Sequence, residues 1–166
     1  LRNARVGALV ELSRLADARQ SIESALADAS RALGAEHPQT QRLASKRVWV
    51  LYMAGELRAA ADAVGPLLAA VERVDGVDGE NTLYTLHTAA IVASDLADFA
   101  RAQHYYQQLI QRRTRLFGAE ASATIAARQS LGVSYIQSKR FAEAVTEFEA
   151  LLPILSARHG PDHAST

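Results

Sequence analysis

The chain has 166 residues, 18 Lys and Arg against 18 Asp and Glu, no cysteine, and 49% hydrophobic residues of which few are aromatic. A chain this long buries roughly two-thirds of its unfolded surface, so it needs neither disulfides nor a structural zinc to fold. Cysteine chemistry is excluded, zero net charge argues against nucleic acid as a partner, and no apolar run approaches the ~20 residues of a membrane span. The start, Leu1-Arg2-Asn3-Ala4-Arg5, lacks a Met and the apolar stretch of a signal peptide. The expectation is a piece of a longer soluble, cytoplasmic protein without a membrane partner. Arg far outnumbers Lys and Ala is abundant, a composition that points to a GC-rich bacterial source.

Self-similarity organises the rest. Gly34, Gly76, Gly118 and Gly160 recur every 42 residues, and Thr40, Thr82, Thr124 and Thr166 do the same. The chain thus divides into one array of four ungapped units, 1–40, 41–82, 83–124 and 125–166. Their register aligns Ala18, Ala60, Ala102 and Ala144; Leu15, Leu57, Phe99 and Phe141; and Ile22, Val64, Tyr106 and Phe148, all expected in the core.

Each unit predicts a helix pair, eight helices in all. In units one and two, Arg5 and Arg47 occupy the core slot that Leu131 fills later. Either guanidinium must run out along the helix flank or pair with a carboxylate, because an unpaired buried charge is costly. Unit two breaks at Gly55-Glu56, and Gly65-Pro66 should kink its second helix. In unit four, Ala127, Leu131, Ser134, Tyr135 and Ser138 share a face of 125–138. After a break at Lys139-Arg140, Phe141, Ala144, Val145, Phe148, Leu151 and Leu152 should face inward, with a second kink at Pro153. The recurring Ala is small where paired helices approach most closely. The recurring Gly suits a left-handed residue closing each second helix, and the recurring Thr should cap the helix that follows.

The pattern Leu131-Gly132-Val133-Ser134-Tyr135, then Phe141-Ala142-Glu143-Ala144 and Phe148, closing on Arg158-His159-Gly160-Pro161-Asp162-His163-Ala164-Ser165-Thr166, resembles a tetratricopeptide repeat. The 42-residue length, with the loop Leu33-Gly34-Ala35-Glu36-His37-Pro38-Gln39-Thr40, resembles the longer variety of kinesin light chains and bacterial multidomain regulators. The resemblance covers all four units and is strongest in the last. It implies an all-α, right-handed α-solenoid of four helix-turn-helix repeats, with the first helix of each pair lining a concave groove that binds peptides or a partner's helix.

Mapping the non-core face of each first helix puts Asn3, Gly7, Val10 and Glu11 in that groove from unit one. Unit two contributes Arg42, Ser45, Lys46, Trp49, Tyr52 and Met53. Unit three contributes Tyr84, His87, Thr88, Ile91 and Asp95, and unit four Gln129, Ser130, Val133, Ile136 and Gln137. Lys46, Trp49, Tyr52 and Met53 are spaced by three and four, so they form one patch, faced by Tyr84, His87 and Ile91. Aromatic residues rimmed by cations have the composition of a binding anchor; the bland alternative is that Trp49 fills a gap between first helices. Kinesin-light-chain grooves carry an asparagine that clamps the ligand backbone. Here that slot holds Asn3, Ser45, His87 and Gln129, which favours side-chain-specific recognition.

Other chemistry is thin. His159 and His163 are four apart, but Gly160-Pro161 prevents the shared helical face a metal pair needs. Asp75, Asp78 and Glu80 lack the ligand spacing of a calcium loop. His87 and His104 sit on paired helices facing different ways. Arg112, Arg113 and Arg115 read as a solvated outer face, with a docking patch as the lesser alternative. No phosphate loop or nucleophile elbow is visible, so no enzyme, metal or cofactor is expected. The leading reading is a non-enzymatic protein-interaction scaffold. The alternative is a structural or regulatory segment acting in cis on a kinase, ATPase or DNA-binding domain, or mediating self-association. An apolar end face centred on Phe148 and Leu152 should support end-to-end homodimers.

Overall fold

Residues 2–160 are described by a computed structural model, with side-chain surroundings from Arg14 to Arg158. Every element among them is an α-helix: α1 (Arg2–Leu33), α2 (Pro38–Met53), α3 (Leu57–Asp75), α4 (Glu80–Asp95), α5 (Phe99–Phe117), α6 (Ser122–Gln137) and α7 (Phe141–His159). From α2 onward both helix starts and helix ends recur at the 42-residue stride.

Seven helices stand where the repeat count predicts eight. The within-pair turns follow Met53, Asp95 and Gln137, and each has a left-handed residue: Gly55 at φ 77°, Ala97 at 58° and Lys139 at 61°. The two N–H groups at each turn reach back to close the helix, as in Glu56 N to Leu51 O at 3.0 Å and Gly55 N to Tyr52 O at 2.9 Å. One stride earlier stands Ser13, and there α1 runs straight through for 32 residues. The segment is rich in Ala and Leu and has no proline, so local propensity favours continuation. Ala97 and Lys139 each accept the ~1 kcal/mol or more of a left-handed side chain because a packed hairpin requires the reversal.

The periodic glycines have φ between 81° and 92°, with ψ 164°, 161° and 157° at Gly76, Gly118 and Gly160. This region is not the left-handed helix but an extended one almost confined to glycine. A Cβ at any of the four would meet open space, so backbone conformation, not crowding, demands the residue.

The periodic threonines are not caps. α2, α4 and α6 begin two residues before Thr40, Thr82 and Thr124, which are buried in the first turn. Caps come earlier: the His37 ring nitrogen accepts from Gln39 N at 3.2 Å, and Asp75 Oδ2 accepts from Asn81 N at 2.8 Å. Thr82 Oγ1 donates to Gly76 O at 2.7 Å, tying the turn to the preceding helix end. Thr166 lies outside the described residues. The proline expectation is corrected in part: α3 and α7 are unbroken through Pro66 and Pro153.

The chain forms two compact units, Leu1–Thr88 and Ala89–Thr166. In the first, α1 packs on α2 and α2 on α3, burying Val48, Leu51, Ala60, Val64 and Val71. Arg47 resolves its dilemma by pairing with a carboxylate, its Nε 2.6 Å from Glu23 Oε1 on α1; the Arg5 side chain lies outside the described residues. Ala18, aligned with the buried Ala60, is exposed, because the straight α1 offers it no paired helix.

In the second unit α5 packs on α6 and α6 on α7. Ala93, Ala102, Tyr106, Leu131, Tyr135 and Ala144 form one core cluster, and Ile125, Leu151 and Leu155 another; Phe148 packs against both. A Cβ on Gly132 would lie 2.6 Å from the tip of the Phe148 ring, so a larger residue there requires that ring to shift. Phe141, Val145 and Leu152 do not face inward. They are 60%, 53% and 47% exposed, on a stripe rotated away from the Ala144–Leu151–Leu155 face. The exposed apolar surface of α7 therefore centres on these three, not on Phe148.

Candidate clefts on the first-helix faces

In the first unit, Arg42 and Lys46 lie one turn apart on α2. With Glu80, Asn81 and Tyr84 of the first turns of α4 they line a cleft of about 360 Å³. Burial holds the Tyr84 phenol above its usual pKa. Trp49 and Tyr52 are half-buried and stacked, ring centroids 5.1 Å apart and tilted by 36°; neither lines this cleft. Met53 is exposed at the end of α2 and His87 is half-buried.

Ser45 and Thr88 do not belong to the exposed wall, at 1% and 2% exposure. Ser45 Oγ lies 2.8 Å from Thr85 Oγ1 across α2 and α4 and donates to Gln41 O, while Thr88 Oγ1 donates to Tyr84 O at 3.0 Å. A short hydroxyl satisfied by the carbonyl one turn back can be buried at small cost, so its polarity misleads about which way it faces. The side chains of Asn3, Gly7, Val10 and Glu11 lie outside the described residues.

The second unit holds a larger cleft of about 420 Å³ between α4 and α6. Its walls include Ile91, Asp95, Gln129 and Val133, together with Ser130 and Gln137. Tyr106, reaching from α5, is its buried floor. Ser94 Oγ donates to Gln137 Oε1 at 3.1 Å, joining the two walls. Ile136 is 47% exposed but lies outside the lining. Ser94 and Ala126 also line the cleft and were findable from the register. Ser94 is one stride from Tyr52 and Ile136, and Ala126 from Tyr84; both are small and easily passed over. Tyr106 is legible only as core.

The remaining polar clusters are occupied structurally. Asp75 caps α4, and Arg113 donates to Ala123 O at 2.8 Å. No group of three His, Cys, Asp or Glu stands together among the described residues. The His159–His163 pair lies outside them. Among the described residues no helix is long and apolar enough to cross a membrane.

The described residues thus form helical hairpins at a 42-residue stride, with small clefts of mixed polar and apolar lining on the first-helix faces. Residues 2–39 and 82–120 match the tetratricopeptide repeat family model. Those two segments are thus similar to tetratricopeptide repeats. The fold of the chain is similar to the nearly identical repeats of a kinesin light chain candidate from Podosopora anserina, as it is to a single-substitution form of that protein. Each has TM-score 0.83 and 17% identity, covering 99% of this chain and 79% of the other. It is also similar to BtubC from P. vanneervenii, at TM-score 0.78 and 17% identity, covering 89% of this chain and 59% of that one. No curated protein matches. Tetratricopeptide repeats generally mediate protein–protein interaction and are typically non-enzymatic scaffolds.

Proposed function

We propose that this chain is a non-enzymatic protein-interaction module that takes a partner segment on its first-helix faces, with the α4–α6 cleft as a principal contact. One observation carries the reading: Ile91, Asp95, Gln129 and Val133, which share the same face of the repeat, line one 420 Å³ cleft. That size accepts one or two side chains, and the lining mixes aliphatic surface with amide and hydroxyl groups that can fix their orientation. Randomised peptides displayed against the wild type should yield binders whose affinity falls at least about tenfold in Val133→Arg, since a long cation would fill the cleft. Trp49→Ala reports separately on the stacked pair in the first unit. Equal binding by all three proteins would remove these faces from the account.

A second reading, self-association, is favoured by the exposed Phe141, Val145 and Leu152 stripe on α7. Clustered apolar exposure of this kind marks contact surfaces.

A further inference from the structure

Resting on the interaction reading, we infer that the α4–α6 cleft selects a partner segment presenting a Lys or Arg side chain beside an aliphatic one. Among the described residues Asp95 is the only carboxylate in the lining, and no cation accompanies it. It is exposed and makes no ion pair among the described residues.

Two helix ends add charge of the same sign. α4 terminates at Asp95 and α6 at Gln137, and both terminal residues line the cleft. The last turn of a helix carries the negative end of its dipole, which favours a cation and disfavours a carboxylate. Asp95 thus sits where the helix would sooner have a neutral or basic residue. One stride away in either direction stand the neutral Met53 and Gln137. An arriving ammonium or guanidinium relieves that repulsion and completes the pair, while Ile91 and Val133 offer aliphatic surface for its stem and an apolar neighbour. The cleft of the first unit has the opposite character, with Arg42 and Lys46 against the single Glu80.

The test is selection from a randomised peptide library on the wild type, followed by anisotropy titration of a labelled selected peptide. The selected pool should be enriched in Lys or Arg at one position next to Leu, Ile or Val. Asp95→Asn should weaken the chosen peptide about two- to fivefold, the range of an exposed ion pair, and flatten its salt dependence. Arg58→Gln, at an exposed position of α3 away from both clefts, should leave both unchanged. Replacing the peptide's basic residue with Gln should reproduce the Asp95→Asn loss on the wild type and cost nothing further on the variant. Thermal melts confirm that Asp95→Asn folds, and it should be no less stable. A neutral or acidic pool that still loses affinity in Val133→Arg overturns the charge preference alone. A wild type that selects nothing, or binders indifferent to Val133→Arg, overturns the interaction reading and this inference with it.

Discussion

Gly118 and Lys139 both have positive φ, yet they are replaceable in opposite senses. At Gly118, φ 88° and ψ 161° lie in a region almost closed to side chains. Gly118→Ala should therefore cost about 1–3 kcal/mol although its Cβ would touch nothing. At Lys139, φ 61° costs a side chain roughly 1 kcal/mol, so Lys139→Gly should raise the unfolding midpoint in a urea titration. Gly132 is demanded for a third reason, the 2.6 Å approach of the Phe148 ring. Gly132→Ala should cost about 1–3 kcal/mol through overpacking, and Gly132→Ala with Phe148→Leu should recover part of it. The periodic glycines were legible as a pattern. The extended conformation that demands them, and the close neighbour that demands Gly132, were not, because spacing records that a residue recurs without recording its ψ or its neighbour.

The elements follow the stride closely, and their departures have local causes. α1 is one helix through Ser13, in a segment rich in Ala and Leu and free of proline. α3 keeps going through Gly65-Pro66, where both residues are exposed. Gly65 is helical, with nothing within 4 Å of a built Cβ. Gly65→Ala should accordingly stabilise by about 0.5–1 kcal/mol, measured as a rise in Tm against the fall expected at Gly118. A loss instead would mean that the helix needs flexibility beside Pro66. The buried first-turn threonines show a similar limit: Thr at a repeat boundary looks like a cap, but the helix begins two residues sooner, at Pro38 or Glu80, and is capped by His37 or Asp75.

For the whole molecule, the exposed stripe on α7 sets the most direct expectation. If Phe141, Val145 and Leu152 drive self-association, the apparent mass by light scattering should rise with concentration, and Val145→Glu should hold it at the monomer. A wild type that stays monomeric across the range would leave the interaction reading standing and remove this one. The two clefts make a further contrast at this scale, one lined by two cations and a carboxylate and the other by a lone carboxylate, although the chain as a whole carries no net charge.

The 42-residue stride, the all-helical class and the within-pair breaks were determined by the sequence alone, because helix periodicity and turn chemistry are local properties. Tertiary structure alone decided that Ser45 and Thr88 turn inward and that Arg47 finds Glu23 on another helix. It also decided that Phe148 is packed while its neighbours on α7 are exposed. These outcomes depend on which helix lies against which face, and the order of residues in a single helix does not record its neighbour.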